Sequence, residues 1–204
     1  MNQFRKWKKT MSTTQTSRAT RDNDQWLKQY YFTRAAFSVL WVAAALTAGR
    51  HSFAVAAALL IIYPAWDAIA NVIDAARSGG LAANRSQAIN VAASSVMTIA
   101  VILALTMNMN WVLGAFGLWA IFSGLLQLGT AVRRWRTSGG QWAMILSGGQ
   151  SSLVGALFIF QAQMPQEPSI STVAGYAGVG AFYFLVSAIW LSIALSRRST
   201  QPIS

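Results

Sequence analysis

Long apolar stretches separated by short polar breaks dominate this chain. Six of them approach the roughly 20 residues that a helix needs to cross a bilayer core: residues 32–49, 52–76, 87–107, 111–132, 142–161 and 172–195. None shows the alternating apolar and polar positions, over about ten residues, that mark the strands of a membrane barrel. In lipid every backbone polar group needs an internal partner, so these runs are predicted as helices. The expected fold class is all-α, with six transmembrane helices in residues 31–198. A polar arm, residues 1–30, is expected to be disordered, and a short tail, residues 199–204, follows the last helix.

Composition agrees with this reading. The chain is 54% hydrophobic and only 10% charged, whereas a soluble domain carries about 25% charged residues. A net charge of +11 raises the question of nucleic acid, but that reading requires basic residues on a folded face or within a recognition motif. Here they fall in the arm, the connections and the tail, so no nucleic-acid partner is expected. The absence of cysteine rules out disulfides, thiolate metal sites and a cysteine nucleophile. The single histidine, His51, rules out a multi-histidine cage, and no cofactor or metal is expected.

Charge also sets the orientation. All but one of the 16 basic residues fall in the arm and the entrance of the first helix, in alternate connections or in the tail; the exception, Arg50, sits beside His51. By the rule that basic connections stay inside, both termini are expected on the cytoplasmic side. Trp26, Tyr30, Tyr31, Trp111, Trp135 and Trp142 lie near predicted helix ends, as interfacial aromatics do. The arm, MNQFRKWKKTMSTTQTSRATRDND, lacks the apolar core of a secretion signal. Phe4 and Trp7 among four basic residues suit FRKWKK to anionic lipid at the cytoplasmic face. The plainer reading is a solvated arm that only fixes topology. Translation from Met11 instead of Met1 would omit the first ten residues.

Internal repetition is visible at a fixed spacing. Tyr63, Asp67 and Arg77 recur as Trp119, Ser123 and Arg133, and again as Tyr183, Ser187 and Arg197; Ser38, Ser95 and Ser152 echo one another in the odd-numbered helices. The expected unit is a helical hairpin used three times in parallel orientation, a symmetry also found in transporters. The segment LWAIFSGLLQLGTAVRRWRTSGGQWAMILSGGQSSLVGALFIF, residues 118–160, has an aromatic-x-x-x-Ser-Gly start, a basic connection, Ser-Gly-Gly in the next helix and Gly155 before an apolar exit. In these features it resembles the HdeD-like family of bacterial inner-membrane proteins. That resemblance implies a six-helix protein of the inner membrane, linked in some relatives to acid or general stress resistance, with no catalytic residues to carry over. The chain departs from the family pattern in the extra residues before Pro165, and Asp67 stands where its own sister repeats carry serine.

Helices in lipid associate by close backbone approach and polar contacts. Gly148, Ser151, Ser152 and Gly155 fall at helical spacing on one predicted packing face, and Ser123 with Gly124 and Gly175, Gly178 and Gly180 offer similar seams. Such seams serve packing within a chain or association between copies, so a homo-oligomer is compatible with the pattern. GYAGVG, residues 175–180, lacks the preceding strand and the glycine spacing of a nucleotide loop. No serine has a histidine base assigned to it, as nucleophilic hydrolysis needs, and the chain is not expected to be an enzyme.

Two carboxylates interrupt the second apolar run. Asp74 lies near its inner end, three residues before Arg77, a spacing suited to an interfacial ion pair. Asp67 lies just past the middle of the run, where an ionised group is costly and faces the bundle or a wet cavity. One role is polar glue between helices. The other is a protonatable element of a transport path, with Asn71, Asn90, Ser94 and Ser95 as candidate lining. Pro64, three residues earlier, removes a backbone donor and loosens the helix there.

Overall fold

No proline or glycine occurs before Gly49, and without either breaker the first helix has nothing to stop it. In a computed structural model, which describes residues 2–134 and 141–199, helix α1 runs Asn2–Ala44. Helix α1 thus spans most of residues 1–30 as well as the first apolar run. A π-helical turn, Ala45–Gly49, ends it. The connection at Trp135 and Arg136 and the tail beyond Ser199 lie outside the described residues.

The remaining helices begin and end where side chains satisfy the free backbone groups. Helix α2, Phe53–Arg77, starts at Ser52, whose hydroxyl accepts from the Val55 N–H. It closes with a left-handed Gly79, φ 91°, and a bond of 2.7 Å from Gly80 N–H to the Ala75 carbonyl, the pattern of a Schellman cap. Helix α3, Arg85–Leu105, is capped by Asn84. Helix α4, Met109–Arg134, follows Asn108, whose Oδ1 accepts from the N–H groups of Asn110 and Trp111. Helices α5, Gln141–Gln161, and α6, Ile170–Ser199, complete the chain. All described regular structure is helical, as expected.

Five stretches are long and apolar enough to cross a membrane: Asp24–Gly49, Phe53–Arg77, Arg85–Leu105, Met109–Gly129 and Ile170–Arg197. The described apolar part of α5, Ile145–Gln161, is shorter. Five such stretches thus stand where the sequence predicted six.

The chain forms two compact units, one of Met1–Ser38 with Gly180–Ser204, the other of Val39–Val179. In the first, Tyr31 stacks on Phe184 with ring centres 6.3 Å apart. The Arg34 guanidinium lies 4.4 Å from the centre of the Phe184 ring and donates to the Tyr30 hydroxyl at 2.9 Å.

In the second unit, the most extensive helix contacts are α4 with α5 and α2 with α3; α3 with α4 comes next. The hairpin repeat expected from the sequence groups α3 with α4, yet the closest pairs join helices assigned to successive repeats. Glycine explains the first pair. A Cβ added to Gly155 would lie 2.5 Å from the Gly117 carbonyl oxygen, and one added to Gly148 would lie 2.7 Å from that of Gly124. The backbones meet there with nothing between them, an approach that only glycine allows.

Candidate functional site

Asp67 is the fifteenth of the 25 residues of α2, and it does not stand alone. Its Oδ2 accepts from the Ser94 hydroxyl of α3 at 2.6 Å and from the Asn71 amide at 3.0 Å. The same Asn71 nitrogen also donates to the Asp67 backbone carbonyl at 2.7 Å. Ser94 is 1% exposed and Asn71 5%, so two buried donors on the helix interface meet the half-buried carboxylate. Pro64, one turn earlier, lacks the N–H that would bond the Leu60 carbonyl. On that loosened turn the neighbouring Leu59 carbonyl accepts the Trp41 indole N–H at 2.7 Å.

Two turns toward the C-terminal end of α2, Asp74 is buried, and its Oδ2 accepts from the Gln87 amide of α3. Gln87 is a further partner that the sequence reading missed; Arg77, three residues after Asp74, is exposed at the end of α2. A signal for Gln87 was present. Asp67 with Ser94, and Asp74 with Gln87, lie symmetrically about the turn at Gly80 and Leu81. Folding an antiparallel helical hairpin at that turn, with equal rise on both arms, brings both pairs level. The same rule about the connection between α4 and α5 pairs Gly117 with Gly155 and Gly124 with Gly148. In each case the contacts recur after seven residues, two helical turns, which keeps one seam facing the partner.

The other candidate residues separate. Ser95, next to Ser94, is exposed and lies outside the cluster. Asn90 is half-buried one turn before Ser94 and makes no side-chain hydrogen bond among the described residues. On α5, Gly148, Ser152 and Gly155 face α4, where Ser152 bonds back to the Gly148 carbonyl at 2.9 Å. Ser151 instead meets the Tyr176 hydroxyl of α6 at 3.1 Å, so the four residues do not share one contact. Tyr176, which packs edge-on against Phe158, lies within electrostatic reach of Asp67. A Cβ at Gly175 or Gly178 would meet nothing within 4 Å, so these two glycines close no seam in the chain.

Equivalent positions behave differently. Tyr63 and Trp119 meet edge to face, with centres 6.2 Å apart, but at the third position of the set the shorter Ser187 turns back to its own helix and donates to the Tyr183 carbonyl at 2.8 Å. Asp67 has the reach to leave its helix. In α3 and α5 the register that finds side-chain partners on another helix is Ser94 and Ser151, one residue before the Ser95 and Ser152 echo.

No group of three or more His, Asp or Glu residues suited to a metal occurs among the described residues. The fold and the apolar helices define the pattern of a multi-pass α-helical membrane protein. Compared with known proteins, the chain matches no family model, no curated protein and no solved structure.

Proposed function

We propose that this is a non-enzymatic, six-span protein of the bacterial inner membrane, of the HdeD-like type, that serves acid or general stress resistance. The observation that carries the non-enzymatic reading is the bonding of Asp67. Its carboxylate accepts from Ser94 and Asn71, a use expected of a polar residue that holds helices together in lipid. The stress role rests on the resemblance in residues 118–160. In this reading α5 is the sixth span, since its 21 residues rise about 31 Å at 1.5 Å each.

The test is removal of the gene from its host followed by challenge at low pH. Survival should fall, and both the wild-type gene and an Asp67→Ser version should restore it. Unchanged survival of the deletion strain under acid and other stresses sinks the stress role.

A second reading, a small proton-linked transporter or channel, draws on the Ser151 and Tyr176 hydroxyl pair, with Tyr176 within electrostatic reach of Asp67. Proton flux into liposomes under an imposed pH gradient separates the two, with wild type compared to Asp67→Asn. The packing reading expects both to match empty liposomes. A wild-type leak that Asp67→Asn abolishes makes the transporter the better reading.

A further inference from the structure

Two helices that run the same way bring a pair of aromatic rings together above a carboxylate. The antiparallel pairing of α2 with α3, and the short connection from α3 to α4, leave α2 parallel to α4. Tyr63 of α2 and Trp119 of α4 meet with ring centres 6.2 Å apart and planes at 86°. Residues four apart share a helix face. One turn beyond the rings, about 6 Å of rise, Asp67 therefore follows Tyr63, and Ser123 follows Trp119.

Each ring is held in place by another. Trp41, buried, has its ring centre 4.7 Å from that of Tyr63, and its own indole is fixed by the Leu59 carbonyl. Phe116, also buried, meets Trp119 edge-on at 6.0 Å. All of these residues belong to the unit Val39–Val179. Tyr63, Asp67, Trp119 and Ser123 are only half-buried, whereas Leu60, Phe116 and Ala120 on the same helices are sealed. The four thus keep surface that helix packing does not consume.

Aromatic faces set at right angles are a binding surface for quaternary ammonium, because the ring quadrupole attracts a cation without asking it to give up hydrogen bonds. A carboxylate one turn away adds charge of the opposite sign. Ser94 and Asn71 bond to Asp67 but carry no charge, so they orient the carboxylate without offsetting it. A small metal ion would demand several oxygen ligands, and here it would meet ring faces instead. An organic cation that wears its charge under carbon fits the rings and also tolerates the apolar surroundings.

We infer that Tyr63, Trp119 and Asp67 bind a lipophilic quaternary ammonium ion between α2 and α4. Such a site needs no flux and goes with either function proposed above. The test is equilibrium dialysis of radiolabelled benzyltrimethylammonium against the full-length protein in dodecylmaltoside micelles, with uptake by empty micelles subtracted. Wild type should bind the probe saturably. Asp67→Asn should weaken binding at least about tenfold, and Tyr63→Leu or Trp119→Leu roughly fivefold to thirtyfold each. Tyr63→Phe keeps the ring and should keep the affinity, which separates loss of the cation contact from loss of the fold. Absence of saturable binding by wild type overturns the inference. So does binding that Asp67→Asn, Tyr63→Leu or Trp119→Leu leaves unchanged, since the cation then sits elsewhere. An equal loss in Tyr63→Phe and Tyr63→Leu also counts against it, because the ring face is then not what holds the probe.

Discussion

Asp67 persists inside an apolar helix because its acceptor oxygen is matched by a serine on the next helix and an asparagine on its own. Removing it strands two buried donors. Hydrogen bonds between helices in lipid contribute on average about 0.6 kcal/mol and at most about 1.7. Asp67→Ala should therefore lower stability by about 1 to 2 kcal/mol in reversible unfolding from mixed micelles. A double-mutant cycle with Ser94→Ala should show coupling, while Ser95→Ala, at an exposed position, should be silent. Coupling to Ser95 instead of Ser94 would sink the assignment. The sequence pointed to Asp67 because a carboxylate amid leucine and alanine needs a reason. It could not choose between Ser94 and Ser95, since adjacent helical residues point about 100° apart and nothing in the sequence fixes how α3 is turned toward α2.

Between elements, the α4 and α5 seam depends on glycines whose absent side chains are filled by the opposite backbone. Gly155→Ala would place a carbon 2.5 Å from the Gly117 carbonyl oxygen, and the helices must part to admit it. Overpacking of this kind costs about 1 to 3 kcal/mol. Gly149→Ala is the internal control, because a Cβ there meets nothing within 4 Å. It should be neutral, or stabilise by up to about 1 kcal/mol through helix propensity. Equal thermal stability of the two variants would show that the seam is not close-packed. Just past the C-terminal end of α2, Gly79→Ala forces a side chain onto φ 91° and should cost about 1 to 2 kcal/mol; a melting temperature equal to wild type would count against the cap. Helix limits were largely legible, because Ser52, Asn84 and Asn108 stand where free N–H groups need acceptors. The start of α1 was not legible in this way, because no proline or glycine stands before Gly49 to set a limit.

For the whole molecule, the number of spans decides where the ends lie. Six crossings put both termini on one side, and five put them on opposite sides. With no native cysteine, single cysteines at Gln3 and Ser204 can be labelled from either side of the membrane. Both should react only in inverted vesicles; reaction of one in intact cells and the other in inverted vesicles establishes an odd number of crossings. The sequence by itself determined the helices, their apolar runs, the caps and turns that bound most of them, and the anomaly at Asp67. These follow from local chemistry: propensity, backbone satisfaction and the cost of charge in lipid. Only the tertiary structure decided that α2 pairs most closely with α3 and α4 with α5, that Asp74 meets Gln87, and that Ser151 leaves its neighbours for Tyr176. The physical reason is that a helix made for lipid is apolar on nearly every side. Without a polar face to exclude from the core, its rotation is set by the glycines and the few hydrogen bonds of the helix it meets.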